Sequence, residues 1–90
     1  MRFEWDEAKR LSNIGKHDID FRDAVEVFDG RRRLDIESQR PGEHRTLSVA
    51  FLLDRFVTVT WTLRDDDLIR IISVRRARHA KERQYRHIHG

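Results

Sequence analysis

Cysteine is absent from the chain and proline occurs once, at Pro41. The first absence rules out a disulfide framework and any thiolate metal site. No apolar run is long enough to span a membrane. Residues 1–20 hold Glu4, Asp6, Glu7, Asp18 and Asp20, a pattern unlike a signal peptide. A reducing, cytoplasmic compartment is the expectation. Sequence motifs for several chemistries are also missing. There is no GxxxxGK(S/T) loop, no GxGxxG, no HExxH and no GxSxG, which sets aside nucleotide hydrolysis, dinucleotide redox, zinc proteolysis and α/β-hydrolase chemistry.

Ninety residues suit a single domain, 1–90, with one core. Charged residues make up 39% of the chain, yet eight aromatics and periodic apolar runs argue that it folds. The charge is uneven. Residues 75–90 carry Arg75, Arg76, Arg78, Lys81, Arg83 and Arg86 against Glu82 alone, while the whole chain is +3. A second cluster is Arg31, Arg32 and Arg33. Such runs read either as a solvated helix face or as the footprint of a polyanion or an acidic partner.

The periodicity predicts an α+β fold. Phe3-Glu4-Trp5 reads as a short strand. Asp6 can cap a first helix over about 6–16, with Ala8, Leu11 and Ile14 at helical spacing. Asp20 can cap a second helix through Phe21, Ala24, Val25 and Phe28, stopped by Gly30. Pro41-Gly42 marks a turn. From residue 31 the period becomes two, which predicts four antiparallel strands: Leu34-Ile36, Leu47-Phe51, Val57-Leu63 and Leu68-Val74. Leu47, Val49, Phe51, Val57, Val59 and Trp61 are expected on one buried face against the two helices. Ser48, Thr58, Thr60, Thr62 and Arg64 are expected on the other, open face. Leu68 to Val74 is apolar at both parities and reads as an interior strand. A basic helix from about Ala77 has a weak apolar stripe and is expected to fray or to need a partner. Asp65-Asp66-Asp67 reads as a turn serving solubility.

What remains is chemistry run by arginines. RNA is cleaved when its own 2′-hydroxyl attacks the adjacent phosphate, and a protein need only fix that geometry, move protons and stabilise the phosphorane. Guanidinium groups stay charged and bind phosphate oxygens in a fork. His17 and His44 sit in loops, where either could move a proton. His79 reads as solvent-exposed, and His87 and His89 lack a third metal ligand. No metal or other cofactor is expected. The competing reading is a non-catalytic nucleic-acid-binding or partner-docking module whose basic C-terminal helix is the whole function.

Phe3-Glu4-Trp5-Asp6, Lys9, Asn13, Lys16-His17, Phe21, Ala24, Val27 and Phe28 resemble the N-terminal half of the BrnT toxins. The likeness continues through Glu43, Arg45, Arg64, the run Ile69-Arg70-Ile71-Ile72-Ser73-Val74-Arg75, Ala77, Glu82-Arg83 and Tyr85. Two positions depart from the family pattern: Asp18 stands where glycine is usual, and Leu63 where an acid is usual. The resemblance implies a RelE-like fold and a metal-independent endoribonuclease toxin of a type II toxin–antitoxin pair. It also implies a BrnA antitoxin with a ribbon-helix-helix DNA-binding domain, a heterotetramer, and repression of the pair's own promoter by the complex. On this reading Arg64 and Arg75 contact the scissile phosphate, and Arg76 and Arg78 extend the track. Lys16 and Arg45 meet neighbouring phosphates, and His17, then Glu43 or Tyr85, transfer protons.

Overall fold

The Asp6 carboxylate accepts from the backbone N–H groups of Ala8 and Lys9 at 2.8 and 3.2 Å, satisfying donors that the first turn leaves free. Helix α1 therefore runs Glu7–His17. Asp18 closes it in the left-handed conformation, φ 57° and ψ 36°, the geometry that glycine adopts at helix ends. The bend is thus built as a glycine would build it. Asp20 caps α2 through the N–H of Arg22 at 2.9 Å. This helix is shorter than expected: Phe21–Ala24, continued by one 3₁₀ turn, Val25–Phe28. Arg10, buried in α1, joins the two helices by donating to Glu7 at 2.9 Å and to Asp20 at 3.0 Å. The Glu7 carboxylate holds its guanidinium charged, well above the ordinary arginine range.

The structure is a computed structural model that describes residues 1–38, 42 and 44–90. Its strands are β1 (Arg2–Glu4), β2 (Leu34–Glu37), β3 (Thr46–Leu52), β4 (Arg55–Asp65) and β5 (Leu68–Arg76), and α3 (His79–His89) ends the chain. They form one mixed sheet in the order β1-β5-β4-β3-β2. The expected four-stranded antiparallel meander is therefore corrected to five strands, and the RelE-like arrangement is not matched in detail. The fifth strand is Arg2–Glu4, which pairs in parallel with Leu68–Arg70. The acidic turn holds it there. Arg2 donates to Asp67 at 3.1 Å and to Asp65 at 3.3 Å, and the terminal ammonium lies 3.5 Å from Asp67. The expected turn at Pro41-Gly42 lies partly outside the described residues.

The largest departure concerns the two faces of the sheet. Leu53 and Asp54 form a two-residue turn with φ of 49° and 68°, as a tight hairpin requires. Such a turn pairs every odd residue of β3 with an even residue of β4. The odd-numbered apolar sets of the two strands therefore face opposite ways. Val57, Val59 and Trp61 lie under α1 and α2 with Ile19, Phe21, Ala24 and Val27, whereas Leu47, Val49 and Phe51 share the other face with Leu34 and Ile36. A sheet apolar on both sides needs a second cover. Helix α3 supplies it, packing on β2 and β3 through the chain of rings Phe51, Phe56, Tyr85 and His89, with centroids 4.9–5.2 Å apart. The basic helix thus has a packed face, although none of its residues is buried. Ser48 belongs to the first face and is fully buried there.

Candidate nucleic-acid interface

The ladder between β4 and β5 shifts register between Thr60 and Trp61, so that Ile72 is an extra residue on β5. The bulge changes the phase of the strand. Ile69, Ile71 and Val74 turn to the buried face with α1, and Arg70, Ser73 and Arg75 all turn to the α3 side. Three cross-strand rows result on that side. Leu34, Val49, Thr58 and Arg75 form the first, and Ile36, Leu47, Thr60 and Ser73 the second. Thr62 and Arg70 continue the third, where the Thr62 hydroxyl donates to the His44 carbonyl at 2.6 Å. Successive rows are about 7 Å apart.

Helix α3 packs on β2 and β3 of this face, and toward β4 and β5 Thr60 and Ser73 stay partly exposed. An open cleft of about 270 Å³ lies there, lined by Ser38, Arg45, Leu47, Thr60, Ile72 and Ser73. A second, of about 230 Å³, lies where α1 meets the β5 edge and is lined by Lys9, Ser12, Asn13, Lys16, His17, Ile72 and Ser73. The bulge residues Ile72 and Ser73 are common to both, so the two form one path across the edge of the sheet. Asn13 fixes α1 against this edge. Its buried amide accepts from the Val74 N–H at 3.2 Å and donates to the Ile19 carbonyl at 2.9 Å.

Of the residues singled out in the sequence, Lys16 and His17 line the α1 side of this path and Arg45 the α3 side, where Arg75 stands one row from Ser73. Arg64 lies at the far end of the hairpin, its Nε 3.9 Å from Glu4, which also accepts from Arg70 at 2.6 Å. The register puts the α-carbons of Arg64 and Arg75 roughly 20 Å apart. One phosphate between them would need both side chains fully stretched along the sheet, so a strand with several phosphates is the better fit to the pair. By register Arg76 alternates with Arg75, and at the end of the sheet it lines a cleft with Arg55 and with Arg86 of α3. Arg78 is the N-cap of α3. Tyr85 spends its ring on Phe56 and His89, away from His17. Glu43 lies outside the described residues.

The second basic cluster serves the fold. Arg31 grips Asp29 at 2.8 Å and the Phe51 carbonyl at 2.8 Å, drawing the Asp29 carboxyl down to about 2. Arg33 pairs with Asp35 and lies over the Phe28 ring. By contrast, Arg75, Arg76, Arg78, Lys81 and Arg83 have no carboxylate within ion-pair distance among the described residues. Among those residues no three His, Asp or Glu side chains gather where a metal ion could sit. Among the described residues no helix is long and apolar enough to cross a membrane. Sequence reasoning placed Thr60 on this face but missed Arg70 and Ser73 as parts of it. The signal was present: Ile-Arg-Ile alternates, an extra Ile72 breaks the phase, and Ser-Val-Arg alternates again.

An exposed cation at Arg75 beside the partly exposed hydroxyls of Thr60 and Ser73 suits a polyanion. Comparison with known families supplies the class: residues 5–82 match the family described as the ribonuclease toxin, BrnT, of the type II toxin–antitoxin system. The chain belongs to the BrnT family, so it is a ribonuclease toxin, with RNA as its target class and an antitoxin as its partner class. It is similar to the crystal structure of the Brucella abortus ribonuclease toxin BrnT, with a TM-score of 0.68 and 26% identity over 88% of this chain and 99% of that one. No curated protein sequence matches.

Proposed function

We propose that the chain is a metal-independent endoribonuclease that promotes attack of an RNA 2′-hydroxyl on the adjacent phosphate. The observation that carries this reading is the convergence of Lys16, His17 and Arg45 on one path over Ser73, with Arg75 one row away. Arg75, exposed and without a carboxylate partner among the described residues, stabilises the charge that builds on the phosphorane. His17 takes the 2′-hydroxyl proton, and Glu43 and Tyr85 are the alternative proton carriers. Lys16, Arg45 and Arg78 hold neighbouring phosphates. Arg64, about 20 Å along the hairpin, contacts the strand at a distance from the break and so acts on binding. A BrnA-type ribbon-helix-helix antitoxin neutralises the toxin in the cytoplasm, in a heterotetramer that represses its own promoter and reaches DNA only through the antitoxin.

The test is RNA cleavage by the antitoxin-free chain in excess EDTA, with Arg75→Ala and Arg64→Ala measured separately beside checks of folding. Loss of a group that stabilises the reacting phosphate lowers kcat on the order of 10²–10³-fold. Arg75→Ala is expected in that range. Arg64→Ala is expected to raise KM and leave kcat within a few-fold. A folded Arg75→Ala protein that cleaves at the wild-type rate removes Arg75 from the site. Cleavage abolished by EDTA and restored by a divalent ion refutes metal independence.

A further inference from the structure

An open groove of about 590 Å³ lies between β2 and α3. Leu34, Ile36, Ala80 and Ile88 give it an aliphatic floor, and Arg83, Gln84 and His87 rim it. Ile88 is 61% exposed, so this apolar surface lacks a partner among the described residues. None of the described residues that line it is acidic. The single acid of α3, Glu82, is engaged by Arg86 at 3.3 Å, while Arg83 has no carboxylate partner among the described residues. Beyond the groove's end Arg32 lies 3.5 Å from the His89 carbonyl.

We infer that this groove is the docking surface for an acidic amphipathic segment of the antitoxin partner, and that its occupation closes the RNA path. The inference rests on the ribonuclease-toxin reading. An aliphatic floor beneath a cationic rim complements a helix with leucine-like residues on one side and carboxylates on the other. RNA is a poorer occupant, because the floor offers its bases no aromatic ring to stack on. A second copy of this chain would bring two cationic α3 helices together.

The closure follows from the register. Ile36 in the groove is paired with Leu47, which is paired with Thr60, which is paired with Ser73. Groove and cleft are thus the two ends of one cross-strand row about 14 Å long. A helix is 10–12 Å across with its side chains. Seated on Ile36, such a body reaches about 5–6 Å along the row, over Leu47, which lines the cleft, and its carboxylates face Arg83 and the approach to Arg45.

The experiment is hydrogen exchange on the chain co-expressed with its cognate antitoxin, compared with the antitoxin-free chain. Affinity is measured for Ile88→Asp and for Leu11→Asp, the latter an exposed apolar site on α1. Expected is protection of peptides covering 34–37 and 80–88. Expected too is a Kd raised about tenfold or more by Ile88→Asp, since an aspartate buried on an apolar floor lacks a partner, and unchanged by Leu11→Asp. RNA cleavage by free Ile88→Asp protein stays at the wild-type rate. Protection elsewhere with the groove unprotected overturns the inference and leaves the toxin reading standing. So does protection of 80–88 in the free chain by single-stranded RNA, or a dimer of the free chain that Ile88→Asp dissociates. Failure of the wild-type chain to retain any antitoxin overturns both.

Discussion

Ser48 is fully buried between two partners, and it has one hydroxyl to serve both. The Trp61 indole N–H donates to its Oγ at 2.7 Å, and the hydroxyl in turn donates to Asp35 at 2.6 Å. This places the proton in one orientation and links β2, β3 and β4 on the side under α2. Replacing Ser48 by alanine removes both bonds without opening a sizeable cavity. Asp35 is partly exposed and regains water at little cost. The indole N–H is left without an acceptor, and an unsatisfied buried donor costs about 1–3 kcal/mol. Ser48→Ala should therefore destabilise the chain by about 2 kcal/mol. For a domain of this size that lowers Tm by roughly 8–16 °C. The assay is thermal unfolding followed by near-ultraviolet circular dichroism, with Trp61→Phe and the double variant completing a cycle. Because Trp61→Phe removes the donor, the serine should matter less in that background, by about 1 kcal/mol. A Ser48→Ala shift below about 3 °C, or strictly additive variants, would refute the chain of bonds as a source of stability.

Thr58 offers the opposite sign. Its hydroxyl is buried and has no hydrogen-bond partner among the described residues, so Thr58→Val should raise stability by about 1 kcal/mol in urea titration; a loss of stability would show a partner that the structure does not hold. Stability should also fall in acid. Arg31 draws the Asp29 carboxyl down to about 2, Arg10 lowers Glu7, and Arg2 with the terminal ammonium lowers Asp67. Folded values below the unfolded ones mean that the unfolded chain binds more protons, so the contribution is complete above the ordinary carboxylate range. It is lost as pH falls through the folded values. Tm should be level above about pH 5 and drop between about 4 and 2, more shallowly for Asp29→Asn. Parallel curves for the two proteins would remove Asp29 from the account.

Helix starts were readable because a cap is a local device: Asp6 and Asp20 each serve donors two or three residues away. Strand positions were readable from their period. What the sequence did not disclose depends on pairing. The parity of β3 against β4 is set by a two-residue turn at Leu53-Asp54, and neither Leu nor Asp is glycine, the residue that most strongly signals such a turn. Mistaking that parity placed Leu47, Val49 and Phe51 in the wrong layer and left α3 without a floor. The parallel pairing of β1 rests on three residues and on ion pairs to a turn more than 60 positions away. For the site, Lys16, His17, Arg45 and Arg75 were singled out by charge and resemblance. Their shared path depends on the Ile72 bulge, which was read as an apolar run.

That bulge reconciles two demands on one strand. β5 must present apolar side chains to the core at Ile69, Ile71 and Val74 and polar ones outward at Arg70, Ser73 and Arg75. Strict alternation could serve both demands only without Ile72, since 69, 71 and 74 are not evenly spaced. Deleting Ile72 would restore alternation, because Trp61 already pairs with Ile71 and Thr60 with Ser73. The deletion variant should therefore fold with the same residues on each face. It would lack the local bend and the side chain that both clefts share. Ser73 and Arg75 would then be carried on a straighter strand, displaced from Lys16 and His17 by an ångström or more, and misplacement of that size costs about 10²-fold in rate. Loss of cleavage in a folded protein that keeps every cation would assign the bulge to positioning. Cleavage at the wild-type rate would show that the charges suffice wherever the strand holds them, and the path across Ile72 would then have no part in the reaction.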